Sequence, residues 1–262
     1  MNNYTITYNG LTIGAGTSFP ITNIDGLGGT SPLRIQDDNR GYIDGSYTGR
    51  DFYDERTVYI DVTVLGSTGT TAQANYVLLQ NAFAPQPLGY YVDPTGYTPS
   101  EYQLKLFQFR LSANTGDQQM YGRSRGLNTP VEPNFSYGYI QTRIMMSFPD
   151  PRYYNQTGTT VYGSGAAVVN AGWATMCPVI TLSSPNTSGT ISDGTIYMDF
   201  AYTGGNPLTI DLLQRVVYLS GVPVRNVLLA SSNGWLSIPP NSSGYWASTL
   251  GAFSTTYRNA YV

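Results

Sequence analysis

Few residues in this chain could carry out chemistry. Its 262 residues include no histidine and a single cysteine, Cys177. Without histidine, the chain can build neither a Ser-His-Asp nor a Cys-His nucleophile system, nor a histidine-ligated zinc site. No basic residue adjoins Cys177 in the sequence to activate its thiol, so we expect an unreactive side chain. A single cysteine also excludes an internal disulfide.

The other chemically capable groups are acids and arginines crowded between residues 37 and 56. Two carboxylates from this stretch could serve a glycosidase as acid and base. Asp37, Asp38 and Asp44 could bind calcium, although their spacing matches no calcium-loop motif. Acids beside arginines more often form ion pairs with them than stand free. We therefore expect a protein that is not an enzyme and that holds no metal and no cofactor.

The composition indicates a β-rich protein with many turns. It includes 29 Gly, 16 Pro and 23 Tyr residues, and charged residues make up 11% of the chain. The net charge of −3 disfavours a specific nucleic-acid binder, because binding to phosphates needs clustered lysine and arginine. The chain shows no basic-plus-apolar start and no apolar run of about 18 residues, so we expect neither a standard secretion signal nor a membrane span.

A strand is predicted over Thr57 to Leu65, directly after the charged stretch. Valine and isoleucine occupy every second position of this strand, so they would share one buried face. A core strand of this kind would position the preceding loop, which is rich in tyrosine, glycine and charge. Residues 116–125 carry no such alternation, and they are predicted to form a polar loop that presents Arg123 and Arg125.

One helix is predicted, over residues 70–84. Its apolar residues recur at i, i+3 and i+4, Thr70 or Thr71 could cap its start, and Pro85 ends it. A helix that follows a strong strand would lie against the sheet. Further strands of this half are predicted at 4–8, 11–13, 19–24, 33–36, 102–111 and 137–148. The dipeptide Asn9-Gly10 predicts a hairpin turn between the first two of them.

A domain boundary is predicted at Asp150 to Tyr154, where the charge density changes. Residues 1–150 hold 22 charged groups and residues 151–262 hold 7. Turns recur about every ten residues in the second part, which is typical of a sandwich or jelly roll. Its predicted strands are 167–170, 179–182, 196–202, 208–211, 215–218, 226–229, 235–238 and 252–259.

The aromatic residues of the second part allow two interpretations. Trp173, Trp235 and Trp246, with Tyr245, could line a sugar-binding face. They could also fill the core or form the corners of turns, which is the commoner use of such residues. The residues predicted for a possible glycan contact are Trp235, Tyr245 and Trp246.

Several segments of the chain follow one another in a recognisable order. Asp44 to Val64 reads DGSYTGRDFYDERTVYIDVTV, and the predicted helix follows it. FPDPRYY comes next at 148–154, and the chain closes with GVPVRN at 221–226, WLSIPPN at 235–241 and YRNAY at 257–261. This order resembles the siphophage distal tail and minor tail protein family, whose first domain carries D-G-x-x-x-G-R-D before R-T and closes on A-x-D-P-R-x-Y. The family usually has glycine after Pro-Pro, whereas Asn241, Ser242 and Ser243 intervene here.

The resemblance implies a mainly β protein of two domains. Residues 1–152 would form a ring-building β-sandwich or split barrel with one helix, and residues 153–262 a galectin-like β-sandwich. The family's ring is a homohexamer that joins the tail tube to the tail-tip hub or baseplate, with the tape-measure protein in its lumen. The implied location is the virion, at the distal end of the phage tail, after synthesis in the host cytoplasm. A carbohydrate-binding module or receptor-binding protein that contacts host glycan remains the alternative.

A closed ring requires two different, complementary patches on each subunit. Mixed acids and arginines in the first part of the chain could supply both patches. Residues 1–150 carry 9 basic and 13 acidic groups, and this net −4 is compatible with a lumen through which DNA passes without specific binding. The residues predicted for the subunit interface are Asp37, Asp38, Arg40, Asp44, Arg50, Asp51, Arg123 and Arg125.

Overall fold

The computed structural model describes residues 4–29, 31–34, 38–39, 46–47, 52–85, 104–112, 116–130, 136–202, 206–224 and 226–262. These residues form several antiparallel sheets and, within the described ranges, one α-helix. The prediction of a mainly β fold with one helix is confirmed. The chain divides into two compact units, Met1–Tyr153 together with Val262, and Tyr154–Tyr261.

The first unit is built around one antiparallel sheet. The elements of the unit are β1 (Thr5–Tyr8), β2 (Leu11–Gly14), β3 (Ile21–Asp25), β4 (Leu33–Arg34), β5 (Asp38–Asn39), β6 (Ser46–Tyr47), β7 (Phe52–Tyr53), β8 (Arg56–Leu65), α1 (Gly69–Phe83), β9 (Lys105–Arg110), β10 (Gln118–Asn128) and β11 (Tyr139–Phe148). The strands of the sheet lie in the order β2-β1-β9-β10-β11-β8-β3, and two short ladders, β4-β7 and β5-β6, lie outside it.

Strand β8 has the two faces that its alternating sequence predicts. Val58, Ile60, Val62 and Val64 are each no more than 1% exposed, whereas the residues between them are half-buried. A period of two places successive side chains on opposite faces, so one face meets the core and the other faces outward. Ten residues of β8 pair in unbroken register with β11, whose alternate residues complete the same core.

Helix α1 packs its predicted stripe into that core. Ala72, Leu79, Ala82 and Phe83 are buried against the sheet. The predicted N-cap, Thr70 or Thr71, is wrong. Thr68 caps the helix, because its backbone is extended and its Oγ1 accepts a hydrogen bond from the backbone N–H of Thr71.

The prediction of a polar loop at 116–125 is also wrong, because these residues form most of β10. This strand pairs with β9 on one side and β11 on the other. Gly122 faces the core there, and a Cβ at this position would lie 2.3 Å from Cδ1 of Phe148. The aromatic ring of the neighbouring strand supplies the apolar side chain that β10 lacks, so the sequence of β10 shows no alternation.

The second unit consists of short strands. They are β12 (Tyr153–Asn155, which begins on the last residue of the first unit), β13 (Thr159–Tyr162), β14 (Ala167–Asn170), β15 (Val179–Leu182), β16 (Ser188–Ser192), β17 (Tyr197–Ala201), β18 (Leu208–Asp211), β19 (Val216–Leu219), β20 (Val222–Val224), β21 (Ser242–Tyr245), β22 (Ala247–Ser248), β23 (Ser254–Tyr257) and β24 (Ala260–Tyr261). Eleven of these strands lie in three sheets with the orders β13-β23-β15-β18-β19-β20, β14-β21 and β17-β16-β22, and β12 pairs with β24.

Two strands predicted in the second unit are absent from the described residues. Residues 226–229 and 235–238 contribute one isolated bridge each, from Leu228 to Phe200 and from Ile238 to Met176. Hydrogen bonds from side chains of the intervening turn replace the regular ladder. The Oδ1 of Asn233 accepts a hydrogen bond from the backbone N–H of Tyr197. Such side-chain hydrogen bonds compete with strand pairing.

Candidate functional site

Two of the four predicted interface arginines, Arg123 and Arg125, lie on β10 at a β-bulge. Arg123 faces Ser147 of β11, and the register then shifts between Ser124 and Gly126, which leaves Arg125 as the extra residue. A bulge bends its strand and redirects the side chain that it carries. Arg125 is exposed, and it has no ion-pair partner among the described residues.

Positive charge exceeds negative charge around this bulge. Burial lowers the pKa of Arg123, the charge of Arg125 lowers it further, and Glu55 acts in the opposite direction. Glu55 also accepts a hydrogen bond from Ser147 at 3.1 Å. In the described part of the chain, the buried Nε of Arg123 has no hydrogen-bond partner. The two arginines therefore form a cationic spot, Arg123–Arg125, on a chain that is acidic as a whole.

Of the other predicted interface residues, one, Asp38, lies within the described ranges. Asp38 belongs to β5 and pairs through its backbone with Tyr47 of β6. The remaining five fall outside the described residues. They are Asp37, Arg40, Asp44, Arg50 and Asp51.

Arg56, which the sequence grouped with the ion-paired loop, is a buried structural residue instead. It is 1% exposed at the start of β8. Its Nε donates to the carbonyl oxygen of Pro151 at 3.0 Å, and its Nη1 donates to the carbonyls of Gly26, Leu27 and Gly29 at 2.7–3.2 Å. The guanidinium therefore connects the glycine loop at residues 26–29, strand β8 and the end of the first unit. The alternation along β8 could have revealed the burial of Arg56, because residues 56 and 58 lie on the same, inward face of the strand.

Backbone carbonyl groups, which are polar but uncharged, surround the guanidinium of Arg56. Burial lowers the pKa of Arg56, and Tyr153, whose ring centroid lies 5.8 Å from the guanidinium carbon, opposes this effect. Backbone carbonyls serve as the acceptors in place of carboxylates. Within the described residues, Nη2 is buried without a hydrogen-bond partner, so the site depends on the carbonyl contacts and on the stacked tyrosine.

An ion pair joins the central strands on the outer face of the sheet. Asp61 of β8 lies directly opposite Arg143 of β11. Arg143 donates from Nε and Nη2 to the two carboxylate oxygens at 2.6 and 2.8 Å, and Asn23 of β3 also donates to Asp61. These hydrogen bonds, Arg143 first, lower the pKa of Asp61. The pair favours the observed register of β8 against β11, because a shift of β8 by one residue would turn Asp61 toward the core.

The residues predicted for glycan contact differ in exposure. Tyr245 is 59% exposed on β21, and Trp235 is half-buried. Trp246 is 2% exposed, so its ring belongs to the core of the second unit and does not fit a direct glycan contact. Adjacent residues at the end of a strand point to opposite sides, and this separates Tyr245 from Trp246.

Neither a metal cluster nor a membrane span is found in the described parts of the chain. No group of three or more Asp, Glu and Cys side chains there could hold an ion. No described helix is both long and apolar enough to cross a membrane. A shallow groove of about 450 Å³ lies at the end of α1, between Tyr76, Pro85 and Leu127, and it contains no acid or base.

The fold is shared with phage tail proteins of known structure. No protein-family model and no curated protein matches the chain. The Dit (gp 19.1) protein of SPP1, described as a paradigm of the hub adsorption apparatus in phages that infect Gram-positive bacteria, matches with a TM-score of 0.71 and 15% identity. This match covers 98% of this chain and 99% of that one.

Chains from the phage P2 baseplate share the fold more distantly. In the activated conformation with calcium, the TM-score is 0.54 at 8% identity, and both chains are covered in full. With strontium, the TM-score is 0.52 at 9% identity, and 98% of each chain is covered. Over nearly its whole length, the chain therefore has the fold of the SPP1 distal tail protein Dit.

Proposed function

We propose that this chain is a structural component of the tail tip of a long-tailed phage. Its N-terminal unit would form a homohexameric ring that joins the tail tube to the tail-tip hub or baseplate. The tape-measure protein would occupy the lumen of the ring, and the chain would reside at the distal end of the tail in the virion. The observation that carries the proposal is the match of both units, in order, to the SPP1 Dit protein, a hub protein of an adsorption apparatus.

The charge distribution supports a ring. In a closed ring each subunit meets its neighbours through two different patches, which must be complementary. The Arg123–Arg125 spot offers one such patch, since Arg125 is exposed and no acid of the described residues is paired with it. The acids at positions 37, 38, 44 and 51, on the neighbouring copy, would provide the opposite charge. Charge complementarity of this kind selects the partner and the register of an interface.

A structural role also agrees with the chemistry of the chain. Nucleophilic and metal-dependent catalysis most often rely on histidine, and the chain has none. Asp61 and Arg143, two ionisable groups at the surface of the sheet, are engaged in a structural ion pair with each other. We therefore propose a protein that is not an enzyme.

Stoichiometry tests the proposal directly. We expect electron microscopy of tails from the phage that encodes this chain to show six copies of it in one ring at the tail tip. Native mass spectrometry of the purified chain would show whether the ring forms before it joins the tail. A monomeric fibre, or a strictly threefold arrangement, would contradict the proposal.

The variant Arg50→Glu tests one predicted interface residue. It should reduce ring assembly, and normal assembly of the variant would show that Arg50 does not contribute to the interface.

A further inference from the structure

Strand β13 lies at one end of the six-stranded sheet of the second unit, where it pairs with β23. One position beyond this ladder, the backbone N–H of Gly163 donates to the carbonyl of Phe253. Hydrogen-bonded and non-bonded positions alternate along an antiparallel pair, so Val161 also bonds to β23. The backbone groups of Thr160 and Tyr162 therefore point to the open edge of the sheet. Within the described residues, no hydrogen bond reaches them there.

Two other end strands of the larger sheets are protected against further pairing. At the opposite end of the same sheet, β20 carries Pro223, which has no N–H to donate. In the first unit, β3 carries a bulge between Ile21 and Asn23 and the exposed charge of Asp25. Bulges, proline and charge are common means of preventing association between sheet edges. Strand β13, which reads Thr-Thr-Val-Tyr, has none of them.

The open edge is exposed, and the strands that form it carry no charge. Tyr162 is 77% exposed, and Thr159 and Thr160 are exposed as well. The Oγ1 atoms of Thr160 and Thr256 share a hydrogen bond of 3.0 Å, which holds the outer strand against β23. Strands β13, β23 and β15, the three at this end of the sheet, contain no charged residue. A second copy of this edge therefore brings no like charges of these strands together.

We propose that β13 is the contact through which two copies of this chain pair, antiparallel and about a two-fold axis. In this pairing the outward N–H and C=O of Thr160 bond to those of Tyr162 in the second copy, and the symmetry repeats the contact. Val161 faces its own counterpart on the axis. A β-branched side chain thus lies opposite an aromatic one, and valine lies opposite valine, which are favourable cross-strand pairs. The strand is complementary to itself in backbone and in side chains.

This contact differs from the proposed ring interface. Neighbours in a six-fold ring meet through two different patches, whereas a two-fold contact uses the same patch on both copies. The β13 contact therefore joins two free chains or two rings, and the ring does not depend on it. Pairing also covers an edge that is otherwise open to strands of other proteins.

Disulfide trapping of the full-length chain tests the proposed register. Val161→Cys, in a Cys177→Ser background, places two thiols opposite each other at a non-bonded position, with Cα atoms about 4.5 Å apart. We expect mild oxidation to link this variant into covalent dimers. The matched control is Tyr162→Cys in the same background. Position 162 is more exposed than position 161, but its counterpart lies two residues further along the partner strand, beyond the reach of a disulfide.

Sedimentation velocity of the full-length chain measures the pairing without a cross-link. We expect wild type to form dimers or, where rings assemble, paired rings. Thr160→Pro removes an outward N–H and keeps the hydrogen bonds of β13 to β23, so self-association should weaken about tenfold or more. Thr160→Ala is the matched control, because it loses the same hydroxyl and keeps the N–H, and it should associate nearly as wild type does. Circular dichroism checks the fold of both variants, and the two cysteine variants decide if Thr160→Pro does not fold.

Three outcomes would overturn the inference. They are a wild-type chain that forms neither dimers nor paired rings, equal cross-linking of Val161→Cys and Tyr162→Cys, and unchanged association of folded Thr160→Pro. Single rings that never pair would leave the proposed tail-tip role standing while this inference fails. Dimers that depend on β13, in a chain that builds no ring, would support the pairing and contradict the ring.

Discussion

The guanidinium of Arg56 donates from Nε to the carbonyl of Pro151, 95 residues further along the chain. The same side chain binds three carbonyls of the glycine loop before β4. One buried cation therefore joins the beginning, the centre and the end of the first unit. Its pairing with carbonyls explains how it stays buried without a carboxylate partner among the described residues.

Replacement of Arg56 should destabilise the first unit strongly. In Arg56→Met the carbonyls of Gly26, Gly29 and Pro151 lose their buried donor, and we expect a loss of about 3 kcal/mol in the free energy of unfolding. Arg56→Lys should recover only part of it, because an ammonium group cannot reproduce the planar fork. Urea unfolding measures both variants. Arg143→Met, an exposed arginine of the same sheet, is the control, and an equal effect there would refute a special role for Arg56.

Gly122→Ala should destabilise the sheet by steric conflict. The new Cβ would meet the ring of Phe148, and we expect a cost of about 2 kcal/mol. Gly126→Ala on the same strand is the matched control, because its Cβ would lie 3.7 Å from that of Met145, an ordinary contact. Phe148→Leu should reduce the cost of Gly122→Ala in the double variant, and thermal unfolding can measure that coupling. Equal costs for the two alanine variants would contradict the assignment.

The Asp61–Arg143 pair predicts a pH-dependent contribution to stability. The pKa of Asp61 in the folded chain is below its ordinary value of 3.8. A carboxyl with a lowered folded pKa stabilises the fold fully above its unfolded pKa and loses this effect as the pH falls through the folded value. Asp61→Asn should therefore be less stable than wild type at pH 7, and the difference should shrink below pH 3.8.

Urea unfolding of both proteins across the acid range measures this difference. Added salt at neutral pH should also reduce it, because both groups are partly exposed to solvent. A difference that stays constant with pH would mean that the substitution acts through packing, and would count against the electrostatic explanation.

The helix cap distinguishes two threonines that the sequence alone does not separate. Thr68→Ala should cost about 1 kcal/mol, because the backbone N–H of Thr71 loses its side-chain acceptor. Thr70→Ala should have almost no effect, since Thr70 is exposed inside the first turn and caps nothing. Thermal unfolding of the two single variants is sufficient to compare their stabilities and so to identify the capping threonine. A larger effect at Thr70 would contradict the observed start of α1.

The proposed ring predicts that Arg125→Glu impairs assembly without unfolding the chain. The change places an acidic side chain opposite the acidic patch that we expect on the neighbouring subunit, and like charges across an interface repel each other. Arg125 is exposed on a bulge, so circular dichroism and the unfolding midpoint should stay unchanged. Arg215→Glu, at an exposed position of the second unit, is the control and should assemble normally. Rings of Arg125→Glu in normal yield would remove this residue from the interface.

Patterns in the sequence predicted those elements whose structure depends on residues close together in the chain. The alternation in β8 and the apolar stripe of α1 predicted both elements and their buried faces, because periodicity alone decides which side chains share a face. Asn9 and Gly10 likewise predicted the first hairpin, and both have positive φ in the turn between β1 and β2.

Where the fold depends on distant partners, local patterns failed. Strand β10 lacks apolar alternation, and its inward Gly122 is complemented by Phe148 of β11. The predicted strands at 226–229 and 235–238 were wrong, because side chains such as Asn233 supply the bonds of an irregular turn. For Trp246 the sequence left a glycan contact and a core position both open, and the structure places its ring in the core.

The amino-acid sequence by itself determined the mainly β class, the absence of histidine chemistry and the inward face of β8, since these follow from composition and periodicity. The tertiary structure decided which carbonyls surround Arg56, that Arg125 is exposed on a bulge, and that Trp246 lies in the core. Alternation along β8 places Arg56 on the inward face, but its hydrogen-bond partners come from other parts of the chain. These features depend on register and on contacts between residues far apart in the chain, which form only when the sheets assemble.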